Sequence, residues 1–158
     1  MTSRPSIAVR PLRDSDRPQW QALWDTYLDF YRATVPPEAT EGTFQRACSG
    51  TEGIFGLVAA DPDDTVVGLA HAVMHASTWS VNPSCYLEDL AVAPEARGAG
   101  VGRALVDAVS AEASVRGAGL LYWQTQAFNA PARSLYDTVA NLTSAVIYER
   151  VLRPGGSR

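Results

Sequence analysis

EARGAGVGRALVDAV, residues Glu95–Val109, places three glycines and two arginines within seven positions and continues with apolar residues at helical spacing. Glycine at this density lowers stability unless another group must approach the backbone closely. The first turn of a helix presents unpaired N–H groups and the positive end of the helix dipole, and phosphate oxygens satisfy both. Because Arg97 and Arg103 add positive charge, this glycine run predicts a pyrophosphate site.

Two better-known phosphate loops do not fit the glycine run. The loop of ATP- and GTP-binding proteins requires a lysine after its last glycine, and this chain contains no lysine. The dinucleotide fingerprint GxGxxG would need a glycine at position 103, where Arg103 stands. The run also lies late in the chain, after strands with an antiparallel pattern, and not in a first βαβ unit. A different kind of pyrophosphate ligand is therefore expected.

Length and composition limit the class of protein. With 158 residues, 46% of them apolar, the chain is expected to form a single domain, 1–158, with loose tails at 1–5 and 154–158. No apolar run approaches the roughly 18 residues that cross a bilayer, and the N-terminus does not resemble a secretory signal, so no membrane partner is expected. Cys48 and Cys85 are isolated, which favours a reduced, cytoplasmic setting.

The charge of the chain bears on its partners. The net charge is −4 at pH 7, and all 13 basic residues are arginines. A general nucleic-acid binder usually carries a basic stripe, so the composition argues against nucleic acid as a partner. It mildly favours a cationic small substrate, although ordinary solubility explains the same charge.

Hydrophobic spacing predicts the element order βααβββαβαβ, a mixed α/β domain in which a central strand feeds a helix through the glycine run. The predicted strands cover residues 6–12, 54–60, 66–76, 84–93, 120–127 and 144–152. The predicted helices cover residues 13–32, 41–50, 101–117 and 129–140.

The segment LEDLAVAPEARGAGVGRALV, residues 87–106, resembles the central motif of the GCN5-related N-acetyltransferase (GNAT) superfamily, (Q/R)xxGx(G/A), over Arg97–Gly102. Downstream, WQTQAFNAPARSLYDTVA resembles the next strand and helix of that family, with its Asn and Tyr. The resemblance covers the strand order of nearly the whole chain. It implies a GNAT fold: a central mixed, mostly antiparallel sheet of about six to seven strands, flanked by four helices.

The resemblance also implies acetyl-CoA as the cosubstrate and no metal. Backbone groups of Leu90, Ala91 and Val92 are expected to pair with the pantetheine arm like an added strand. Asn129 matches the family position that hydrogen-bonds the cofactor arm, and Tyr136 matches the position next to the thioester. The expected pyrophosphate residues are Arg97, Gly98, Ala99, Gly100, Val101, Gly102 and Arg103.

Three groups are candidates for the chemistry of acetyl transfer. The backbone N–H of Leu90 is expected to stabilise the oxyanion. Glu88 is the candidate base; it shares a face with Leu90 if the strand is regular, whereas Asp89 points the other way unless a bulge intervenes. YLEDL resembles the string in diamine-type members, where the carboxylate helps to deprotonate or to hold a cationic amine, so Glu88 is also a candidate substrate residue. A surface charge or an ion-pair partner is the alternative role. Tyr136 is the candidate acid, with ordinary core packing as its alternative.

The acceptor site is expected near the first helix, because the first two helices wall that site in the family. Tyr27 and Tyr31, with Asp25 and Asp29, are candidates to meet a cationic or aromatic amine. Their helical spacing is equally typical of core residues. Trp79, in the loop before the acidic strand, is a similar candidate.

Other reactive side chains carry weaker signals. His71 and His75 share a strand face but lie about 13 Å apart, with no third ligand, so no metal site is expected. Cys85 sits in an apolar strand without an evident His partner and is interpreted as a buried thiol, not as a nucleophile.

These signals together predict an N-acetyltransferase that moves an acetyl group from acetyl-CoA to a small primary amine by direct attack in a ternary complex. A protein or peptide amine acceptor and a non-catalytic CoA-binding sensor are the alternatives. Resemblance to the family implies a homodimer. One departure is the stretch after Tyr136, which lacks the Gly-Phe that many members have before their next strand.

Overall fold

The computed structural model describes residues 6–154, and the two predicted tails fall outside that range except for residue 154. Four α-helices and five strands are joined by short loops and by 3-10 turns at Asp14–Asp16, Thr51–Gly53 and Pro94–Ala96. The elements are β1 (Ala8–Pro11), α1 (Arg17–Phe30), α2 (Pro37–Ser49), β2 (Ile54–Ala60), β3 (Val66–His75), β4 (Ser84–Val92), α3 (Val101–Val115), β5 (Leu120–Tyr122) and α4 (Ala130–Val139).

The strands form one sheet in the order β1-β2-β3-β4-β5. The first four strands pair antiparallel, and β5 pairs parallel to β4. The mixed α/β class, the mostly antiparallel sheet and the four helices are therefore confirmed. No helix within residues 6–154 is long and apolar enough to cross a membrane.

Helices cover both faces of the sheet. A Cβ on Gly56 would meet Ala47 of α2 at 3.0 Å, whereas a Cβ on Gly68 would meet Val101 of α3 at 2.8 Å. Gly56 of β2 lies opposite His71 of β3, so these two residues share a face of the sheet. Gly68 lies three residues before His71 on β3. Because side chains alternate along a strand, Gly68 faces the other side. Hence α1 and α2 cover one face and α3 covers the other.

The start of α1 is fixed by a buried ion pair. Asp16 is buried, and its carboxylate makes two hydrogen bonds to the Arg10 guanidinium of β1, at 2.8 and 2.9 Å. The same carboxylate accepts the backbone N–H of Arg13 at 2.8 Å. These contacts tie the first turn of α1 to the sheet; this helix carries Tyr27, and Tyr31 follows directly at its C-terminal end.

The prediction of a last strand over 144–152 is wrong. These residues form no strand, and β5 pairs with β4 over three residues instead of extending over 120–127. Alternating apolar residues cannot form a strand without a hydrogen-bonding neighbour, and so short a β5 offers little edge for one. The sheet accordingly has five strands in place of six to seven. In the C-terminal segment 142–152, the large apolar side chains that remain exposed are Leu142, Val146, Ile147, Tyr148, Val151 and Leu152.

Candidate active site

The candidate site lies where β4 and β5 separate. β5 pairs with β4 only over Ser84–Tyr86, and β4 continues to Val92 without it. Pairing with β3 is also irregular here: Asp89 lies opposite His71 and Leu87 opposite Ala72. The register skips Glu88, which is the extra residue of a β-bulge. The two neighbouring carboxylates therefore do not alternate across the sheet as in a regular strand.

A cleft of about 480 Å³ opens at this separation, between β4, α1, α3 and α4. Of the predicted cofactor residues, only Ala99 does not line it. Those that do are Leu90, Ala91, Val92, Arg97, Gly98, Gly100, Val101, Gly102, Arg103, Asn129 and Tyr136. The cleft is also lined by residues that were not predicted from the sequence: Leu23, Thr26, Phe30, Ala96, Pro131, Ala132 and Leu135. Those on α1 could have been predicted, because Thr26 and Phe30 lie at helical spacing with Tyr27.

Two glycines of the glycine run have left-handed backbone conformations with open space beside them. Gly98 and Gly100 have φ values of 76° and 85°, and no atom lies within 4 Å of a Cβ built on either. The first bond of α3 runs from the Ala104 N–H to the Gly100 carbonyl at 3.0 Å. Backbone N–H groups of Val101–Arg103 thus have no partner within the helix. These open, donor-rich positions fit a diphosphate group.

Two predicted cofactor residues also make contacts within the protein. The Arg103 guanidinium donates to Thr138 Oγ1 on α4 at 2.7 Å. Asn129 caps α4: its Oδ1 accepts the Ala132 N–H at 3.4 Å. Mutation of Asn129 would therefore disturb both a helix end and the cleft wall.

A Cβ on Gly102 would lie 3.0 Å from Leu135 Cδ2. This glycine accordingly has a packing role between α3 and α4 that the motif alone did not reveal.

A small recess adjoins the cleft. Four residues line both spaces: Tyr27, Tyr31, Leu90 and Tyr136. Glu88 and Leu87 line the recess from β4, and Trp123 and Gln124 line it from the chain after β5. The structure thus brings the predicted base, acid and oxyanion residues to one small space. Trp79 lies outside both spaces and is 97% exposed, so its role in acceptor binding stays a prediction.

The recess shifts the ionisation of its side chains. Desolvation, and then the negative charge of Asp89, raise the pKa of Glu88 above its usual value of 4.5. Burial raises the pKa of Tyr136 to about 12, and the ring packs against Trp123 with centroids 5.3 Å apart. Burial, with a further contribution from Asp89, raises the pKa of Tyr27 well above 10.0. Both phenols are therefore neutral over the usual working range of pH.

The other reactive side chains lie apart from one another. His75 is exposed and bonds to the Tyr122 hydroxyl at 2.8 Å, whereas His71 is buried against Trp20. Among residues 6–154, no group of three or more His, Cys, Asp or Glu side chains has the arrangement of a metal site. Burial raises the pKa of the Cys85 thiol to about 11, which disfavours the thiolate that a nucleophile needs.

Comparison with known proteins gives the class of this one. Residues 20–139 match the Acetyltransferase (GNAT) family. The chain therefore belongs to this family, and it is an N-acetyltransferase. It is 35% identical over 145 residues to D-amino-acid N-acetyltransferase HPA3 of Saccharomyces cerevisiae, covering 91% of this chain and 90% of that protein. It is 29% identical over 129 residues to the uncharacterized N-acetyltransferase YhfO of Bacillus subtilis, covering 82% and 85%.

Solved structures share the fold at low sequence identity. The aminoglycoside acetyltransferase AAC(6')-Iy, in complex with the bisubstrate analogue CoA-S-monomethyl-acetylneamine, superposes with a TM-score of 0.79 at 18% identity, covering 94% of this chain and 99% of that one. A ribosomal-protein-alanine N-acetyltransferase from Brucella melitensis gives 0.76 at 18% identity, covering 94% and 99%. The GNAT fold thus accommodates acceptors of very different size.

Proposed function

We propose that this protein transfers an acetyl group from acetyl-CoA to a small primary amine by direct attack in a ternary complex. The observation that carries the proposal is the junction of the long cleft with the recess at Leu90 and Tyr136. A cofactor held along the cleft brings its thioester to this junction, beside an amine held in the recess. Proximity of this kind supplies a large share of the acceleration in a two-substrate reaction.

In this scheme the cofactor site and the recess contribute separate groups to the reaction. The glycine run and the free edge of β4 hold the cofactor. The Leu90 N–H donates to the oxygen of the tetrahedral intermediate. Glu88 takes the proton from the amine, directly or through water, and its raised pKa brings it closer to the range of an effective base at neutral pH.

Tyr136 supplies a hydrogen bond to the departing sulfur. A phenol of pKa about 12 transfers its proton unfavourably to a thiolate whose parent thiol has a pKa of about 8.5. The positive charge on the attacking nitrogen makes this proton transfer more favourable, because a nearby cation lowers the pKa of a phenol. Proton transfer from Tyr136 is therefore coupled to the presence of the charged intermediate.

The acceptor proposed here is cationic. Glu88 and three tyrosines line the recess, and none of its lining residues is basic within the part of the chain described. Similarity to HPA3 favours an amino acid, whereas the recess favours the ammonium end of any acceptor over a carboxylate. A peptide amine is the second candidate, since a structural neighbour acts on a ribosomal-protein alanine.

Assembly and setting complete the proposal. The exposed apolar segment 142–152 and the open side of β5 favour a homodimer in which a second copy covers both. Cys48 and Cys85 are both free, which favours a reducing cytoplasm.

Release of free thiol from acetyl-CoA tests the function against a panel of a linear alkyl diamine, D- and L-amino acids, an aminoglycoside and a short peptide with a free N-terminus. We expect the highest kcat/KM with a small cationic amine. Preference for the peptide would favour the second candidate. Tight CoA binding without thiol release from any amine would favour a non-catalytic sensor and contradict the proposal.

A further inference from the structure

A buried hydrogen-bonded chain leads from α1 to the bulge of β4. The indole Nε1 of Trp20 donates to Nε2 of His71 at 2.9 Å, and Nδ1 of His71 lies 2.9 Å from Oδ2 of Asp89. Trp20 is 0% exposed and His71 is 2% exposed. Because an indole N–H can only donate, Nε2 of His71 must accept, so Nδ1 carries the proton and donates to Asp89.

This arrangement fixes the tautomer of the His71 ring. Nε2 is the acceptor for the buried Trp20 N–H, which would otherwise lack a partner. The ring therefore donates through Nδ1 and holds one oxygen of the Asp89 carboxylate in place. Ring contacts hold the imidazole further, with Trp20 and Trp24 centroids 5.7 and 5.4 Å away.

Asp89 lies next to the recess: its chain neighbours Glu88 and Leu90 line that space, and Asp89 stands behind them. The bulge at Glu88 places Asp89 opposite His71, on the face that α1 covers. From there its charge acts on Tyr27, the residue of α1 that lines both the recess and the cleft. Tyr27 is itself held between Trp24, stacked at 5.7 Å, and Tyr31, edge-on at 4.9 Å.

We propose that Trp20 and His71 are positioning residues that hold the Asp89 carboxylate behind Tyr27, and that Tyr27, with this carboxylate behind it, binds the ammonium group of the acceptor. The inference rests on the proposed function and specifies its acceptor as a positively charged amine. In this arrangement the phenol oxygen of Tyr27 accepts from the ammonium N–H groups, and the nearby Asp89 carboxylate adds negative potential. Glu88 is then free to remove the proton that must leave before attack.

The competing explanation is that the Trp20–His71–Asp89 hydrogen bonds have only a structural role, because they also join α1 to β3 and β4. Trp24 provides a matched control: it is a buried tryptophan on the same helix, and its Nε1 donates to Thr40 Oγ1 at 3.1 Å. Trp20→Phe and Trp24→Phe each remove one buried indole hydrogen bond. Only the first bond leads to Asp89.

The test measures steady-state kinetics with the best amine of the panel. We expect Trp20→Phe to raise the acceptor KM roughly tenfold, the effect of losing a hydrogen bond in a chain to a charged group. The KM for acetyl-CoA should be unchanged. Trp24→Phe keeps an aromatic ring against Tyr27 and His71, so it should raise the acceptor KM far less than Trp20→Phe does, although its melting temperature falls. Equal acceptor KM values in the two variants would overturn the proposal.

Two further measurements separate positioning from packing. Asp89→Asn should raise the acceptor KM, and adding Trp20→Phe to it should have little extra effect, because both changes break one chain. His71→Gln should restore part of what His71→Leu loses, since an amide can accept from Trp20 and donate to Asp89. The inference would be contradicted if the effects of Asp89→Asn and Trp20→Phe were additive, or if His71→Gln and His71→Leu had the same acceptor KM.

Failure of the inference and failure of the proposed function give different results. If the wild-type chain transfers to no amine, calorimetry with a linear alkyl diamine still measures binding. A diamine affinity roughly tenfold weaker in Trp20→Phe than in Trp24→Phe would support the role of the hydrogen-bonded chain even if the protein transfers no acetyl group. Diamine affinity equal in both variants would reject it. Active wild type with unchanged acceptor KM in Trp20→Phe rejects the inference alone.

Discussion

Tyr136 is the residue whose hydroxyl is expected to matter most to kcat. Tyr136→Phe keeps the ring contact with Trp123 and removes only the donor. We expect kcat to fall by about 10² or more, as for loss of a general acid, with little change in the KM for acetyl-CoA. Stopped-time thiol release measures this. Tyr122→Phe is the control, because that hydroxyl bonds only to the exposed His75 in this structure; a Tyr136→Phe rate within twofold of wild type would refute the assignment.

Glu88 gives a prediction about pH. A base must be deprotonated, so kcat/KM should rise with pH through a pKa above the ordinary 4.5. Glu88→Gln should lower kcat/KM by about 10² and abolish this limb, while the limb set by the amine remains. Glu38→Gln, an exposed carboxylate of α2, serves as the control. An unchanged profile in Glu88→Gln would remove Glu88 from the mechanism.

The same shift has a consequence for stability with the opposite sign to that for activity. A raised pKa in the folded state means that the ionised carboxylate is less favoured there than in the unfolded chain. The stabilising contribution is present below the unfolded pKa and is lost as the pH rises through the folded one. Glu88→Gln should therefore not lower the melting temperature at pH 7, even though activity falls.

Sequence reasoning found these residues but not their geometry. Glu88, Leu90 and Tyr136 follow from a motif in one stretch and a helix further on. The bulge that redirects Asp89 is set by pairing across two strands, and no single residue type signals it. The bond between Trp20 and His71 joins positions 51 residues apart, and depends on how α1 docks on the sheet.

At the scale of elements, α3 offers a test of the glycine run with its own control. Gly100 and Gly117 flank this helix with φ values of 85° and 87°, and neither would place a Cβ within 4 Å of another atom. Alanine costs about 1–2 kcal/mol at such a conformation. Gly100→Ala and Gly117→Ala should therefore lose similar stability.

Only Gly100→Ala should weaken CoA binding, because Gly100 precedes the free N–H groups at the cleft and Gly117 lies at the far end of the helix. Calorimetric titration with CoA and urea unfolding of both variants make the comparison. Equal CoA affinities despite equal destabilisation would show that the glycine run does not hold the diphosphate.

The start of α1 gives a stability prediction for an element. The Arg10 guanidinium lowers the pKa of the buried Asp16 below its ordinary 3.8. Asp16→Asn should cost about 2 kcal/mol at pH 7, the value of a hydrogen bond to a charged group. This contribution is present above the unfolded pKa and lost as the pH falls through the lowered folded value. Urea unfolding should accordingly show the deficit of the variant shrinking in strong acid.

Asp64→Asn is the matched control for Asp16→Asn. Asp64 also pairs with Arg10, at 2.9 Å, but its side chain is 64% exposed. An exposed pair contributes about 0.5 kcal/mol. A deficit as large in Asp64→Asn as in Asp16→Asn would mean that burial of the pair is not what stabilises α1.

Elements were predictable where local signals sufficed. Aromatic spacing and Pro18 define α1, and the glycines around residue 100 locate the start of α3. Predictions failed where an element needs a neighbour: residues 144–152 have a strand pattern but no partner in this sheet, and β5 ends at Tyr122.

At the scale of the molecule, the family and fold class could be predicted because a motif and a strand order occur together. The shape of the site could not be, since the cleft exists only because β5 leaves β4 after Tyr86. That divergence leaves the cleft in which we propose that the cofactor binds, and it leaves β5 as a short edge strand. The same feature therefore explains the candidate site and the uncovered C-terminal segment.

The uncovered segment leads to a prediction about assembly. Full burial of a single Val, Leu or Ile side chain contributes roughly 1.5–3 kcal/mol, so covering residues 142–152 on a second copy is strongly favoured. We expect sedimentation to show a dimer of the 17.0 kDa chain. Tyr148→Asp, at a side chain that is 92% exposed, should shift the protein towards monomer. The charge would be buried without a partner in the dimer, and it is solvated in the monomer.

Trp79→Asp is the control for this change, because Trp79 is also almost fully exposed but lies in the loop before β4. It should remain dimeric. Retained CoA affinity in both variants would show that the fold is intact, because the cleft is formed within one chain. A wild-type monomer at high protein concentration, or a Tyr148→Asp protein as dimeric as Trp79→Asp, would mean that this segment is not the interface between copies.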